Sequence, residues 1–195
     1  METSSGDLPL APALLPDGPL AQRQQTQAHH AIWELLECVT DPEIPVVNLR
    51  EMGILRAVRQ GPQGLEVVIT PTYSGCPAMG QMEDDVAHAL ARAGVAARVV
   101  TQLAPAWSTD WMTAEGRDKL RAYGIAPPAK SACAAAAGAK VVAFAPKGLA
   151  VRDTVACPQC GSENTTEISH FGSTACKALY RCLSCMEPFD YFKPY

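Results

Sequence analysis

Apolar side chains at Ala28, Ile32, Leu35, Leu36 and Val39 recur at the three- and four-residue spacing of one helix face. Asp41-Pro42 and Pro45 predict where that helix ends, because the residue before a proline is pushed out of the helical region. Two strand-like runs follow, at 54–58 and 65–70, joined by the turn-rich Gln60-Gly61-Pro62-Gln63-Gly64, so a hairpin is expected. Pro71 closes the second strand. Beyond the loop Thr72-Tyr73-Ser74-Gly75-Cys76, Pro77 is suited to open a helix whose Met79, Met82, Val86 and Leu90 face the core. A third strand is expected over 96–103, and a short helix over 113–123 with Gly124 as its C-terminal cap.

Residues 27–124 therefore read as helix, hairpin, helix, strand, helix, an α+β domain of two layers. The flanks differ. Residues 1–25 carry Pro9, Pro12, Pro16 and Pro19 with little periodicity and read as a disordered leader. An alanine- and proline-rich linker is expected over 127–140, with a strand near 141–145 leading into a terminal segment, 141–195, that has little apolar mass of its own. A bound metal would supply what that core lacks.

Of 195 residues, 48% are hydrophobic, so a folded core is expected. The net charge of −4 argues against nucleic-acid or anionic-membrane binding through a basic surface. Residues 1–100 are the acidic half, with twelve acids against six bases. No Lys or Arg precedes Arg23, so a secretory signal is not expected, and no apolar run approaches the ~20 residues of a membrane span. A cytoplasmic, reducing location follows as an expectation. There, eight cysteines point to metal ligands, reactive thiols or buried hydrophobes before disulfides.

The strongest chemical signal is Cys157-Pro-Gln-Cys160-Gly, then 21 residues, then Cys182-Leu-Ser-Cys185. Two such knuckles can present four thiolates to one tetrahedral ion, and zinc is favoured over iron because closed all-thiolate ribbons usually hold structural zinc. Redox use of either pair lacks a thioredoxin-like context. Cys176 reads as a small buried residue beside the ribbon, and His170 as a surface residue. Cys76 precedes the expected helix, where the helix dipole would favour a thiolate; inert burial is the equal alternative. Asp41 and Glu43 form a short acidic motif that either caps a turn or approaches Cys76 through folding.

Other residues suit packing or solvent. Cys38 falls near the apolar stripe of the first helix, and Cys133 lies in the linker. His29, His30 and His88 have no companions that assemble a triad. Arg117 and Arg121 share a helix face and read as solvated, while Trp107 and Trp111 read as packing a corner of the core. No phosphate loop, serine-hydrolase elbow or HExxH pattern occurs.

Asp41-Pro-Glu-Ile-Pro-Val-Val-Asn-Leu-Arg-Glu-Met-Gly-Ile together with Thr70-Pro-Thr-Tyr-Ser-Gly-Cys-Pro-Ala resembles the small α+β domain of SufT-type iron-sulfur assembly factors. Trp107-Ser-Thr-Asp-Trp-Met, the run from Gly116 to Pro128 and the run from Phe171 to Lys193 narrow the resemblance to the PaaD family, the D proteins of bacterial phenylacetyl-CoA epoxidase (ring 1,2-monooxygenase) systems. Met52 is a departure, since related domains commonly have Leu there, and the change conserves volume.

The resemblance implies an accessory maturation factor in aerobic phenylacetate degradation, not an enzyme in itself. It assigns the functional thiol, a candidate ligand for iron or an iron-sulfur cluster, to Cys76, with Asp41 and Glu43 as its acidic support. It also implies a structural zinc in the ribbon, transient iron or cluster as cargo, and the oxygenase or reductase subunits as partners. A homodimer sharing the cargo is left open. The alternative is a regulatory or electron-transfer subunit that stays in the oxygenase complex. The absence of any Glu-x-x-His pair on helical patterns fits the accessory role.

Overall fold

A computed structural model describes residues 29–128 and 154–194. The expected leader, all of the linker beyond Pro128, the strand at 141–145 and Cys133 lie outside those residues. The first helix, α1, covers 29–35 of the described chain and tightens into a 3₁₀ turn at Leu36–Cys38. Leu36 stays in the core, but Cys38, two positions on, turns well away from it around the helix and is exposed, not packed as expected.

Strands β1 (Leu55–Gly61) and β2 (Gly64–Ile69) form the expected antiparallel hairpin, with Gly61 opposite Gly64. The strands run further into the glycine-rich stretch than the pattern suggested, leaving only Pro62 and Gln63 as the turn. Gly64 makes this possible with a φ of +115°. Helix α2 (Met79–Arg92) buries Met82, Val86, Ala89 and Leu90 at the helical period and carries the chain over to β3 (Ala97–Thr101). β3 joins β2 in parallel, giving the order β1-β2-β3 with α2 as the crossover. One sheet face and the helices enclose Leu36, Ile44, Val47, Leu49, Met52, Ile54 and Ile69, each 1% exposed or less.

A 3₁₀ turn at Thr109–Trp111 leads to α3 (Ala114–Ala122), whose Thr113 side chain caps the Gly116 amide. Gly124 follows at φ +91°. Both Trp residues pack as expected: Trp107 is buried and donates its indole N–H to the Met52 carbonyl (3.0 Å), while Trp111 carries the Arg56 guanidinium 3.4 Å from its ring centre. Arg117 departs from its expected solvated position. It is buried, its guanidinium donates to the carbonyls of Pro128 and Thr109, and its Nε has no hydrogen-bond partner among the described residues. Arg121, four residues on, remains exposed and pairs with Asp118.

The second sheet has the order β4-β7-β6-β5: β4 (Ile125–Ala126), β5 (Thr165–Ser169), β6 (Lys177–Cys182) and β7 (Pro188–Phe192). β4 pairs parallel with β7, so the chain just after α3 belongs to the sheet of the C-terminal segment. A small cluster of Ala126, Val155, Ala178, Phe189 and Tyr191 supports that sheet. Phe192 and Cys176 instead join the core of the first domain, where Phe192 meets Trp107 at 5.9 Å between ring centres.

Candidate functional site

The four ribbon cysteines converge. Cys157, Cys160, Cys182 and Cys185 place their sulfurs within 4.8 Å of one another, with 3.8 Å between Cys157 and Cys185 and 3.5 Å between Cys160 and Cys182. Each Cys-x-x-Cys loop is followed by a residue with positive φ, Gly161 at +73° and Met186 at +68°, which turns the chain back beneath the sulfurs. The Ser184 and Cys185 amides both point at the Cys182 sulfur from 3.4 Å. Donation from the Cys185 amide first, and from Ser184, holds the Cys182 thiol down at about 6.

These donors fit zinc. A tetrahedral ion with Zn–S bonds of about 2.3 Å spaces its sulfurs about 3.8 Å apart, close to the separations of the chain itself. Cys157, Cys160, Cys182 and Cys185 would hold it, and it would act as a cross-link between the two loops. The Ser162 and Ser184 hydroxyls, 2.8 Å apart, tie the same two loops together.

The second constellation surrounds Cys76. Asp41 is buried, and its Oδ1 accepts from the amides of Glu43 (2.8 Å) and Ile44 (3.1 Å), so the carboxylate folds its own turn. Burial pushes the Asp41 carboxyl above its ordinary value, against the pull of those amides and of Lys177. The turn-capping role and the approach to Cys76 are therefore both realised by one side chain. Glu43 and Asp41 are near enough to Cys76 to disfavour its thiolate.

Cys76 is half-buried, two residues short of Ala78, which is the N-cap of α2. It is not itself the cap, because the first turn after Pro77 is not yet helical. Burial chiefly pushes its thiol up, and the two carboxylates add to this; the Ala78 and Met79 amides oppose them. The net direction reverses the sequence expectation of a dipole-stabilised thiolate.

Cys176 also arrives here, from the loop between β5 and β6. Its sulfur lies 3.8 Å from the Glu43 carboxylate, across 133 positions of chain, and 2.9 Å from the Thr174 hydroxyl. Burial pushes its thiol up to about 11. The expected small buried residue is thus buried, in the hydrophobic core of the first domain and beside Glu43. Tyr73 completes the group: burial raises its phenol, followed by the charges of Cys76, Cys176 and Glu43. No local motif signals the Cys176–Glu43 contact. His170 is exposed beside Glu167.

The protein is similar to known families over nearly all of this architecture. A model described as an iron-sulfur cluster assembly protein matches residues 29–101, and one described as the PaaD zinc beta ribbon domain matches residues 143–193. A protein of Escherichia coli strain K12, named as the D component of 1,2-phenylacetyl-CoA epoxidase, is 48% identical over 165 residues, covering 84% of this chain and 92% of that protein. Among solved structures, a domain of unknown function, DUF59, from Bacillus anthracis matches with 26% identity and a TM-score of 0.47, covering 51% of this chain and 96% of that one. Rv1466 from Mycobacterium tuberculosis, described as associated with Fe–S complex assembly and repair, matches with 28% identity and a TM-score of 0.27, covering 61% and 98%. Among the described residues no helix is long and apolar enough to cross a membrane. With an iron-sulfur assembly domain, a four-cysteine ribbon and 48% identity over most of both chains, this protein belongs to the PaaD family, the D components of phenylacetyl-CoA epoxidase.

Proposed function

We propose that the chain is a non-catalytic, cytoplasmic maturation factor that supports assembly of a metal or iron-sulfur centre in the phenylacetyl-CoA epoxidase system. The observation that carries this reading is Cys76, a half-buried thiol flanked by Asp41 and Glu43 within the segment that matches the assembly family. The cargo, iron or a cluster, binds the Cys76 sulfur as its proton leaves, and the nearby carboxylates supply the negative charge that a cation needs. A thiol that is easily reprotonated releases its cargo as readily as it takes it. The ribbon, cross-linked by zinc, docks the recipient oxygenase or reductase component.

The test is the metal content and turnover of oxygenase produced with the native chain, without it, or with Cys76→Ala. Cys76→Ala removes one half-buried sulfur, so the chain should stay folded with its ribbon metal while the oxygenase comes out depleted of metal or cluster. Normal iron and normal turnover in that oxygenase would make Cys76 a structural residue. A second arm adds purified chain to fully metallated oxygenase and its reductase, where the rate should not change. A severalfold rise at constant metal content would make the chain a regulatory subunit instead.

A further inference from the structure

The face of the β1-β2-β3 sheet turned away from α2 carries charge that neither the Cys76 site nor the ribbon uses. Val67 and Ile69 enter the core on the α2 side, so Glu66 and Val68 point the other way, beside Arg59 and Ala57 of β1 and Arg98 and Val100 of β3. Glu66 is 5% exposed and receives two guanidiniums at once, Arg59 Nε at 3.2 Å and Arg98 Nη2 at 3.1 Å. Gly61 leaves room for this carboxylate, because a Cβ there would run into it. Arg56 follows the buried Leu55 and leaves β1 on the outer side, where the register shifts between Leu55 and Ala57. Its guanidinium lies 3.4 Å from the centre of the Trp111 ring, and no carboxylate among the described residues pairs with it.

This face therefore sets three guanidiniums against one carboxylate. It gathers Arg56, Arg59 and Arg98, half of the six basic residues among the first hundred, in the half of the chain that holds twelve acids. Glu83, Asp84 and Asp85 stand on α2, across the sheet, so the domain is dipolar. Arginines that serve solubility alone are interspersed with acids and keep their heads free in water. Here two are anchored on a buried carboxylate and the third is held flat on an indole, so their planar donor edges are fixed in direction before anything binds.

We propose that Arg56, Arg59 and Arg98 form a docking face for a carboxylate-rich surface of a partner protein in the epoxidase system, separate from the ribbon. Guanidinium forks match carboxylates two donors at a time. A nucleic-acid backbone is the poorer match, because the chain carries a net charge of −4 and a phosphate stripe needs positive potential along its length, not at three points. A second copy of this chain offers its acidic α2, but an arginine face on an acidic helix is a head-to-tail contact that repeats without closing. A different protein with its own acidic patch is the occupant that the charge distribution fits. The assignment holds whether or not Cys76 carries cargo.

The test immobilises the purified oxygenase and reductase components in turn and flows the full, zinc-loaded chain over them at about 50 and about 300 mM salt. One component should bind the native chain, with affinity falling about tenfold between the two salts, chiefly through slower association. Arg56→Gln leaves both Glu66 pairs in place and should weaken binding about tenfold at the lower salt, and Arg56→Lys should recover part of the loss. A Glu-rich peptide should compete, and inorganic pyrophosphate at equal ionic strength should compete far less. Zinc content and an unchanged Tm report that each variant is folded. Arg59→Lys combined with Arg98→Lys keeps both charges on Glu66 and should also weaken binding, which gives an independent arm should Arg56→Gln lose zinc. Native affinity in every variant, no component bound at the lower salt, or pyrophosphate competing as well as the peptide would overturn the inference. Self-association that Arg56→Gln abolishes would make the occupant a second copy and overturn it too. The maturation reading fails separately, on the metal content of the oxygenase.

Discussion

Replacing Phe192 by Ala tests whether the ribbon and the assembly domain unfold as one body. Phe192 is 1% exposed and sits on β7, yet its ring packs into the first core against Trp107, at 5.9 Å and 59°. Trp107 cannot follow into the gap, because its indole is tied to the Met52 carbonyl. The cavity therefore stays open, and Phe→Ala at such a site costs about 3–5 kcal/mol, of which the lost aromatic pair is about 0.5–1.5 kcal/mol. A domain of this size has about 5–15 kcal/mol in total, so the loss is a large fraction of it. At about 2–4 °C per kcal/mol, a loss of about 4 kcal/mol lowers Tm by about 8–16 °C. Thermal unfolding should be followed by tryptophan fluorescence and, in parallel, by release of the ribbon metal to a chromophoric chelator. Both midpoints should fall together. A fall of less than about 3 °C, or a shift of fluorescence that leaves metal release where it was, would refute the shared core.

The double change Cys182→Ser and Cys185→Ser should abolish ribbon metal, since structural zinc contributes about 10–16 kcal/mol to such folds; metal analysis after gel filtration in reducing buffer decides it, and full retention would sink the site. Asp41→Asn should be neutral or stabilising at pH 7. The Asp41 carboxyl is raised in the folded chain, so folding holds its proton, and stability falls as pH rises from its ordinary value of 3.8 through the raised one. Asn keeps an oxygen for the Glu43 and Ile44 amides and should flatten that dependence in denaturant unfolding between acid and neutral pH. A loss above about 1 kcal/mol at pH 7 would instead make the charge structural. Met186→Gly should relieve the left-handed backbone at φ +68° and stabilise the ribbon by about 1 kcal/mol, seen as slower metal release to a chelator; faster release would show that the Met side chain matters more than its backbone.

What the sequence determined by itself is what short-range geometry controls. The Cys-x-x-Cys spacing forces two sulfurs to one side of a tight loop, so the four ribbon ligands were legible as residues, and their sulfurs converge. The same holds for the hairpin, for the α2 face of Met82, Val86 and Leu90, and for Gly124 just after α3, each set by a period or a cap within one turn of chain. Tertiary structure decided the rest. Arg117 reads as solvated from its helix face, but the chain leaving α3 folds back and offers it the Pro128 carbonyl. Cys38 lies close to the apolar stripe in sequence, but the packing around the end of α1 takes in Leu36 and Val39 and leaves Cys38 exposed. The electrostatics of Cys76 invert because burial and two carboxylates outweigh a pair of amides, a balance of distances that no motif encodes. Cys176 meets Glu43 only because Phe192 and β7 seat the ribbon segment against the first core, and contacts between residues 133 positions apart are chosen by packing, not by local pattern.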